Sequence, residues 1–132
     1  MRAVLDTNVF ISALIYRGKP AEILDLIEDE VVALVYSEAI RAETERILAT
    51  KFGWPGPRIE FACKPYWDIG KYVEPRAEIH ACVDPDDDFI LECAVEGAAG
   101  FIITGDKHLL TMVRFRDCEI PTPDAFLRRL ER

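Results

Sequence analysis

The chain has 132 residues, of which 50% are apolar and 30% charged, with a formal net charge of −8. That length bounds it to one domain, 1–132, and the apolar fraction supports a core and excludes disorder as a whole-chain description. The acidic balance argues against a passive nucleic-acid binder, whose footprint is normally basic, and apolar runs such as 31–35 are far too short to cross a bilayer.

No basic stretch followed by an apolar run and a small-residue cleavage site opens the chain, so a cytosolic location is expected. In chain order, the pattern predicts a strand over 2–5 and a helix from near Asn8 to Tyr16. Gly18 breaks the chain, and Pro20 suits the first turn of a second helix running to about Asp29. Residues 31–35 read as a buried strand. Ser37 suits the cap of a helix reaching about Lys51. The Gly- and Pro-rich segment 53–57 is a break. A helix over roughly 57–69 and a short strand near Tyr72 and Val73 follow. The acidic segment 84–88 opens a helix that ends at Gly97 or Gly100. Phe101 to Thr104 is a strand, Asp106 to Met112 a turn or short helix, and Cys118 to Ile120 an edge strand. Thr122 and Pro123 begin a last helix, as cap and first residue. Short apolar strands alternating with helical segments define an α/β chain with a mainly parallel sheet.

Cys63, Cys82, Cys93 and Cys118 form no C-x-x-C pair, and His80 and His108 complete no zinc spacing. Reduced, mostly buried thiols are expected. Two clusters of basic residues, Arg41 with Arg46 and Lys51, and Arg128, Arg129 and Arg132 in the tail, read first as solvated helix faces. Lys107 and His108 read as an exposed turn. The aromatic stretch from Phe61 to Trp67 reads as core or loop packing, with an interface as the alternative.

The acids carry more information. Asp6 closes the first apolar run and Asp106 closes the run that begins at Phe101. Chemistry in a parallel α/β sheet gathers at the carboxyl ends of strands. Hard divalent cations prefer carboxylate oxygens, and a pair of them clamps both sides of a phosphodiester displacement. On a wheel of about 100° per residue, Ile40, Thr44, Ile47, Leu48 and Lys51 share one side of the 37–51 helix. Glu43 lies at the edge of that side, and Glu38 and Glu45 fall opposite. Glu43 is therefore the acid of this helix best placed to look toward the sheet. In segment 84–88, one Asp suffices to cap the helix, while several so close repel one another. Asp87 lies in the apolar arc with Ile90, Leu91 and Ala94, and Asp88 lies outside it. Asp87 is chosen over Asp86, which geometry does not exclude.

The joint order is strand–Asp, inward helical Glu, helix-start Asp and strand–Thr-Gly-Asp. Its segments are 4–13, 37–48 around Glu43, 84–94 and 99–110. This order resembles the PIN-domain family of metal-dependent ribonucleases over nearly the whole chain, and most nearly its toxin components of prokaryotic toxin–antitoxin pairs. The resemblance implies a three-layer α/β/α sandwich with a central parallel sheet of four or five strands. It implies that Asp6, Glu43, Asp87 and Asp106 are the catalytic and metal-binding acids, with Asn8 and Thr104 in support. It also implies Mg²⁺ or Mn²⁺ as cofactor, RNA as substrate, a small antitoxin as partner and a homodimer. RNA over DNA rests on the resemblance alone.

Other classes fit less well. A phosphoacceptor receiver needs a mid-chain Asp where strand 31–35 here runs into Tyr36 and Ser37. A haloacid-dehalogenase-like phosphatase needs a second Asp where this chain has Asn8. No Ser-His-Asp or Cys-His arrangement and no phosphate-binding glycine loop is present. A PIN-like module without activity, binding RNA or a protein, is the remaining alternative.

Overall fold

A computed structural model of the chain describes residues 1–82 and 84–131, Asp86 without its side chain. The alternative that put Asp86 in the site, and the contribution of Arg132 to a basic tail, lie outside the described residues.

Strand β1 (Arg2–Leu5) is followed by helices α1 (Thr7–Ile15) and α2 (Gly18–Glu28), then β2 (Ala33–Ser37), α3 (Glu38–Thr50), α4 (Gly56–Ile69) and β3 (Lys71–Val73). A 3-10 turn (Pro85–Asp87) leads into α5 (Asp88–Glu96), then β4 (Phe101–Ile103), α6 (Lys107–Met112), β5 (Arg114–Phe115), β6 (Cys118–Glu119) and α7 (Pro123–Leu130). The sheet order is β3-β2-β1-β4-β6-β5. Every pairing is parallel except β5 with β6.

The connections give the layers. From β1 the chain moves outward through β2 to β3, then crosses back to β4 on the far side of β1. Right-handed crossovers in opposite directions put their helices on opposite faces. Accordingly α5 packs on β1, β2 and β4, while α1, α2, α4 and α7 pack with one another in the other layer. The result is the expected α/β/α sandwich, with six strands rather than four or five: five are parallel, and the short β5 adds an antiparallel sixth. Its core is continuous: Val4, Leu5, Val35, Ile102 and Ile103 from the strands meet Phe10, Ile23, Leu48, Leu91 and Phe126 from the helices, all fully or almost fully buried. Phe10 stacks on Trp67 at 5.0 Å and meets Tyr66 edge-on at 5.5 Å, so most of the aromatic stretch on α4 is core packing. Phe61 alone of it stands out, 87% exposed.

Caps act where the sequence put them. The Ser37 and Thr122 hydroxyls accept the amides of Ile40 and Ala125 at the starts of α3 and α7. Elsewhere the structure departs from expectation. The second strand begins at Ala33 rather than Val31, because the amides of Val31 and Val32 turn back onto the Leu26 carbonyl and close α2. The Cys118 strand is not an edge: β6 lies between β4 and β5. The edge is β5, a two-residue strand flanked by Val113 and Arg116, both at positive φ. Lys51 is exposed, its ammonium 5.9 Å from the Phe52 ring centre. Glu45 is half-buried and accepts a hydrogen bond from Trp67 Nε1, because α4 covers a second side of α3.

Candidate active site

Strand β1 sits where the connections reverse direction, with β2 on one side and β4 on the other. Such a switch point opens a crevice at the carboxyl ends of the strands. Leu5 pairs with Ile103 in the parallel register, so the next residues of the two strands, Asp6 and Thr104, emerge side by side. Thr104 Oγ1 donates to Asp6 Oδ2 at 2.7 Å and accepts the Asp106 amide at 3.0 Å. One fully buried hydroxyl thus fixes both strand-end aspartates.

Asp6, Asp87 and Asp106 stand at the N-cap positions of α1, α5 and α6. Capping is the ordinary reason for an Asp there. It holds for Asp106, whose Oδ1 accepts the His108 amide at 2.8 Å. Asp6 and Asp87 make no side-chain capping bond. Both line a cleft of about 640 Å³, together with residues that include Asn8, Glu43, Arg46 and His80. Asp106 lies beside these acids, close enough for its charge to act on both.

The electrostatics record that crowding. Burial pushes the Asp6 carboxyl above its usual range, and the Asp106 charge adds to the rise. The Thr104 hydroxyl and the first amides of α1 oppose it. Asp87 is pushed up to about 6, by burial first and then by the adjoining Asp106 carboxyl; Asp6 and Asp84 contribute further. Among the described residues, no lysine or arginine forms a salt bridge with Asp6, Asp87 or Asp106.

Glu43 reaches the cleft from α3, about one-third exposed, and is held there by Arg46, whose Nη2 donates to Oε1 at 2.7 Å and Nε to Oε2 at 3.3 Å. Arg41 makes the same kind of pair with Glu38, at 3.0 and 3.1 Å. In the tail, Arg128 pairs with Asp124 and Arg129 with Glu119. These cations are tied to neighbouring acids rather than pooled into a basic patch. Lys107 and His108 are exposed.

Asp88 corrects the helix-wheel placement. It is buried, and its Oδ1 accepts the amides of Ala81 and Cys82 at 3.1 and 2.8 Å. Those backbone bonds hold its carboxyl below the usual range. One and two turns on, Glu92 accepts the Ile79 amide, and Glu96 the amide and guanidinium of Arg76. The segment 76–82 is therefore strapped along α5 by acids at four-residue spacing, and it brings Glu78 and His80 into the cleft wall. Asp87 itself belongs to the 3-10 turn, where a helical wheel does not apply.

Carboxylate oxygens with this much mutual repulsion suit a hard divalent cation. Thr7 adds a buried hydroxyl oxygen, in a residue of the cleft lining, that has no hydrogen-bond partner among the described residues. By donor chemistry the residues fit Mg²⁺ or Mn²⁺. No group of three or more His, Cys, Asp or Glu side chains among the described residues is arranged to enclose a metal ion.

A mostly parallel sheet flanked by helices, with aspartates at the switch point, defines an α/β/α fold with an acidic crevice at its strand ends. The sequence pattern of the PIN domain matches residues 2–108, and the chain belongs to that family, whose members are generally nucleases. A protein of Methanocaldococcus jannaschii, MJ1680, is 32% identical over 145 aligned positions, spanning 100% of this chain and 93% of its own. Among solved structures, VapBC2 from Rickettsia felis, bound to a promoter DNA fragment, superimposes with a TM-score of 0.64 at 12% identity, over 91% of this chain and 97% of that one. VapBC-1 from nontypeable Haemophilus influenzae gives 0.60 at 19% identity, over 94% and 99%. FitAcB from Neisseria gonorrhoeae gives 0.57 at 19%, over 92% and 97%. At these identities the likeness is one of fold.

Proposed function

We propose that the chain is a Mg²⁺- or Mn²⁺-dependent endoribonuclease and the toxin of a toxin–antitoxin pair. The observation that carries the reading is the pair Asp6 and Asp87, which make no side-chain capping bond and line one cleft near Asp106 with raised proton affinity. Asp6, Glu43, Asp87 and Asp106 would hold the cation and orient the attacking water. When bound, the cation supplies a Lewis acid for the phosphodiester and lowers the pKa of water near it. Thr104 keeps the Asp6 carboxylate in place through its hydroxyl and ties the Asp106 backbone to it. Asn8, exposed on the cleft lining, is positioned to hydrogen-bond a substrate oxygen. Asp88 keeps the 81–82 backbone against α5 and so maintains the cleft wall.

The three solved neighbours are toxin–antitoxin complexes, which supports an antitoxin partner here. A homodimer and a cytoplasmic location complete the reading; no helix among the described residues is long and apolar enough to cross a membrane. The test is cleavage of a panel of structured and single-stranded RNAs with Mg²⁺, Mn²⁺ or EDTA, by wild type and Asp6→Asn side by side. Cation-dependent cutting that disappears in the variant, with its circular dichroism unchanged, supports the nuclease. Full activity in Asp6→Asn removes it. Absence of both cutting and cation binding leaves a module that binds RNA or a partner protein.

A further inference from the structure

Helix α3 carries two Glu–Arg pairs of the same build, three residues apart in each case: Glu38 with Arg41 and Glu43 with Arg46. Only the second lines the acidic cleft; Arg41 lines a separate hollow with Glu45, Lys64 and Trp67. The described residues of the cleft lining include six acids but one permanent cation, Arg46. That side chain is 60% exposed and gives one edge of its guanidinium, Nε and Nη2, to Glu43. A pair this exposed is weak. A divalent cation that draws on Glu43 competes with Arg46 directly. The guanidinium it frees is a planar fork suited to a phosphodiester.

We propose that Arg46 is a substrate-phosphate-binding residue, parked on Glu43 until a divalent cation takes that carboxylate. The proposal rests on the nuclease reading. It makes Arg46 a switch between two partners. Without cation it neutralises Glu43 and the cleft repels RNA. With cation it turns to the strand, so that phosphate binding and cation loading arrive together. Arg41, on the same helix with the same pairing, has no part in this.

The opposing signs of two readouts test it. Arg46→Gln, titrated with Mn²⁺ alone by calorimetry, binds the cation on the order of two- to fivefold more tightly than wild type, because its competitor for Glu43 is gone. The same variant cuts a fluorescein-labelled single-stranded RNA with a raised KM and little change in kcat. Its slope of log(kcat/KM) against log salt is shallower by about 0.7, one lost phosphate contact on a single strand. Arg46→Lys restores most of the slope, and Arg41→Gln moves neither readout. Unchanged or weaker Mn²⁺ binding in Arg46→Gln overturns the parking role. An unchanged salt slope, or an equal effect of Arg41→Gln, overturns the phosphate role while leaving the nuclease intact. A wild type that cuts no RNA overturns the nuclease reading and the phosphate role together.

Discussion

Replacing Asp87 by Asn tests the electrostatics of the cleft without requiring any cleavage. The folded protein holds a proton on Asp87 up to a pH of about 6, against an ordinary 3.8. A raised carboxyl is a liability: the folded state binds its proton more tightly than the unfolded chain does. The cost is absent below pH ~4, grows as pH rises through the window between the two values, and is constant above it. Unscreened, that shift corresponds to about 3 kcal/mol at neutral pH. Asp87 is only partly buried, so solvent screening reduces the figure to about 1 kcal/mol. Asp87→Asn keeps the size and removes the charge. Its Tm in EDTA at neutral pH should exceed that of wild type by about 3–5 °C for a domain of this length, with the difference vanishing near pH ~4. Added Mg²⁺ or Mn²⁺ should reverse the order, since a cation that binds only the folded form stabilises wild type and has less to hold in the variant. Differential scanning fluorimetry across pH, with and without cation, reads both effects. A variant less stable than wild type in EDTA at neutral pH would refute the repulsion, whatever the enzyme assays give.

Thr104→Val removes a fully buried hydroxyl that serves Asp6 and the Asp106 amide; a loss of about 1–3 kcal/mol in urea unfolding is expected, together with weaker cation binding by calorimetry. Gly97→Ala tests close packing: a Cβ there would stand 2.3 Å from Val35 Cγ1, where the end of α5 meets β2. It should cost about 1–3 kcal/mol by the same assay, and a neutral result would mean that the helix end shifts freely. The thiols of Cys63, Cys82, Cys93 and Cys118 are each pushed up to about 12, chiefly by burial, so in native protein at mildly alkaline pH the buried Cys63, Cys93 and Cys118 should react with Ellman's reagent only as fast as it unfolds, and the partly exposed Cys82 first.

Much of the frame was legible because strand ends and helix starts carry chemical punctuation. Asp6 and Asp106 each close an apolar run, and parallel pairing of those runs brings their ends together whatever the loops do. Thr104 came with the second run. Asp87 was singled out on a helical wheel, yet its position follows from a 3-10 turn ahead of the helix. The same wheel sent Asp88 outward, because its partners are backbone amides of 81 and 82, which leave no trace in a pattern of side chains. Residues 78–80 entered the cleft unannounced for a related reason: a loop strapped by its amides has no periodicity to read. Strand β5 was invisible because two residues cannot alternate, and Val113 and Arg116 take positive φ where the sequence offers neither Gly nor Asn.

The sandwich tolerates this crowding of acids through features that are themselves built into the site. Three helices begin at Asp6, Asp87 and Asp106, so each carboxylate sits at the positive end of a helix dipole. Thr104 gives Asp6 a hydrogen bond that burial would otherwise deny it, and His108 gives Asp106 an amide. Asp87, partly buried and crowded by Asp106 and Asp6, is the aspartate of the three pushed up to about 6. The repulsion is shared by Asp6 and Asp87, and Asp87, the less buried of the two, is the one a cation from solvent would relieve with least disturbance of the core. For a chain of net charge −8, that arrangement also answers the objection that an acidic protein attracts no RNA. On the proposed nuclease reading, a cleft without cation repels a polyanion, and each divalent cation taken up would cancel two of the charges responsible. On that reading, binding of substrate would be conditional on binding of metal, a coupling that a basic cleft would not impose.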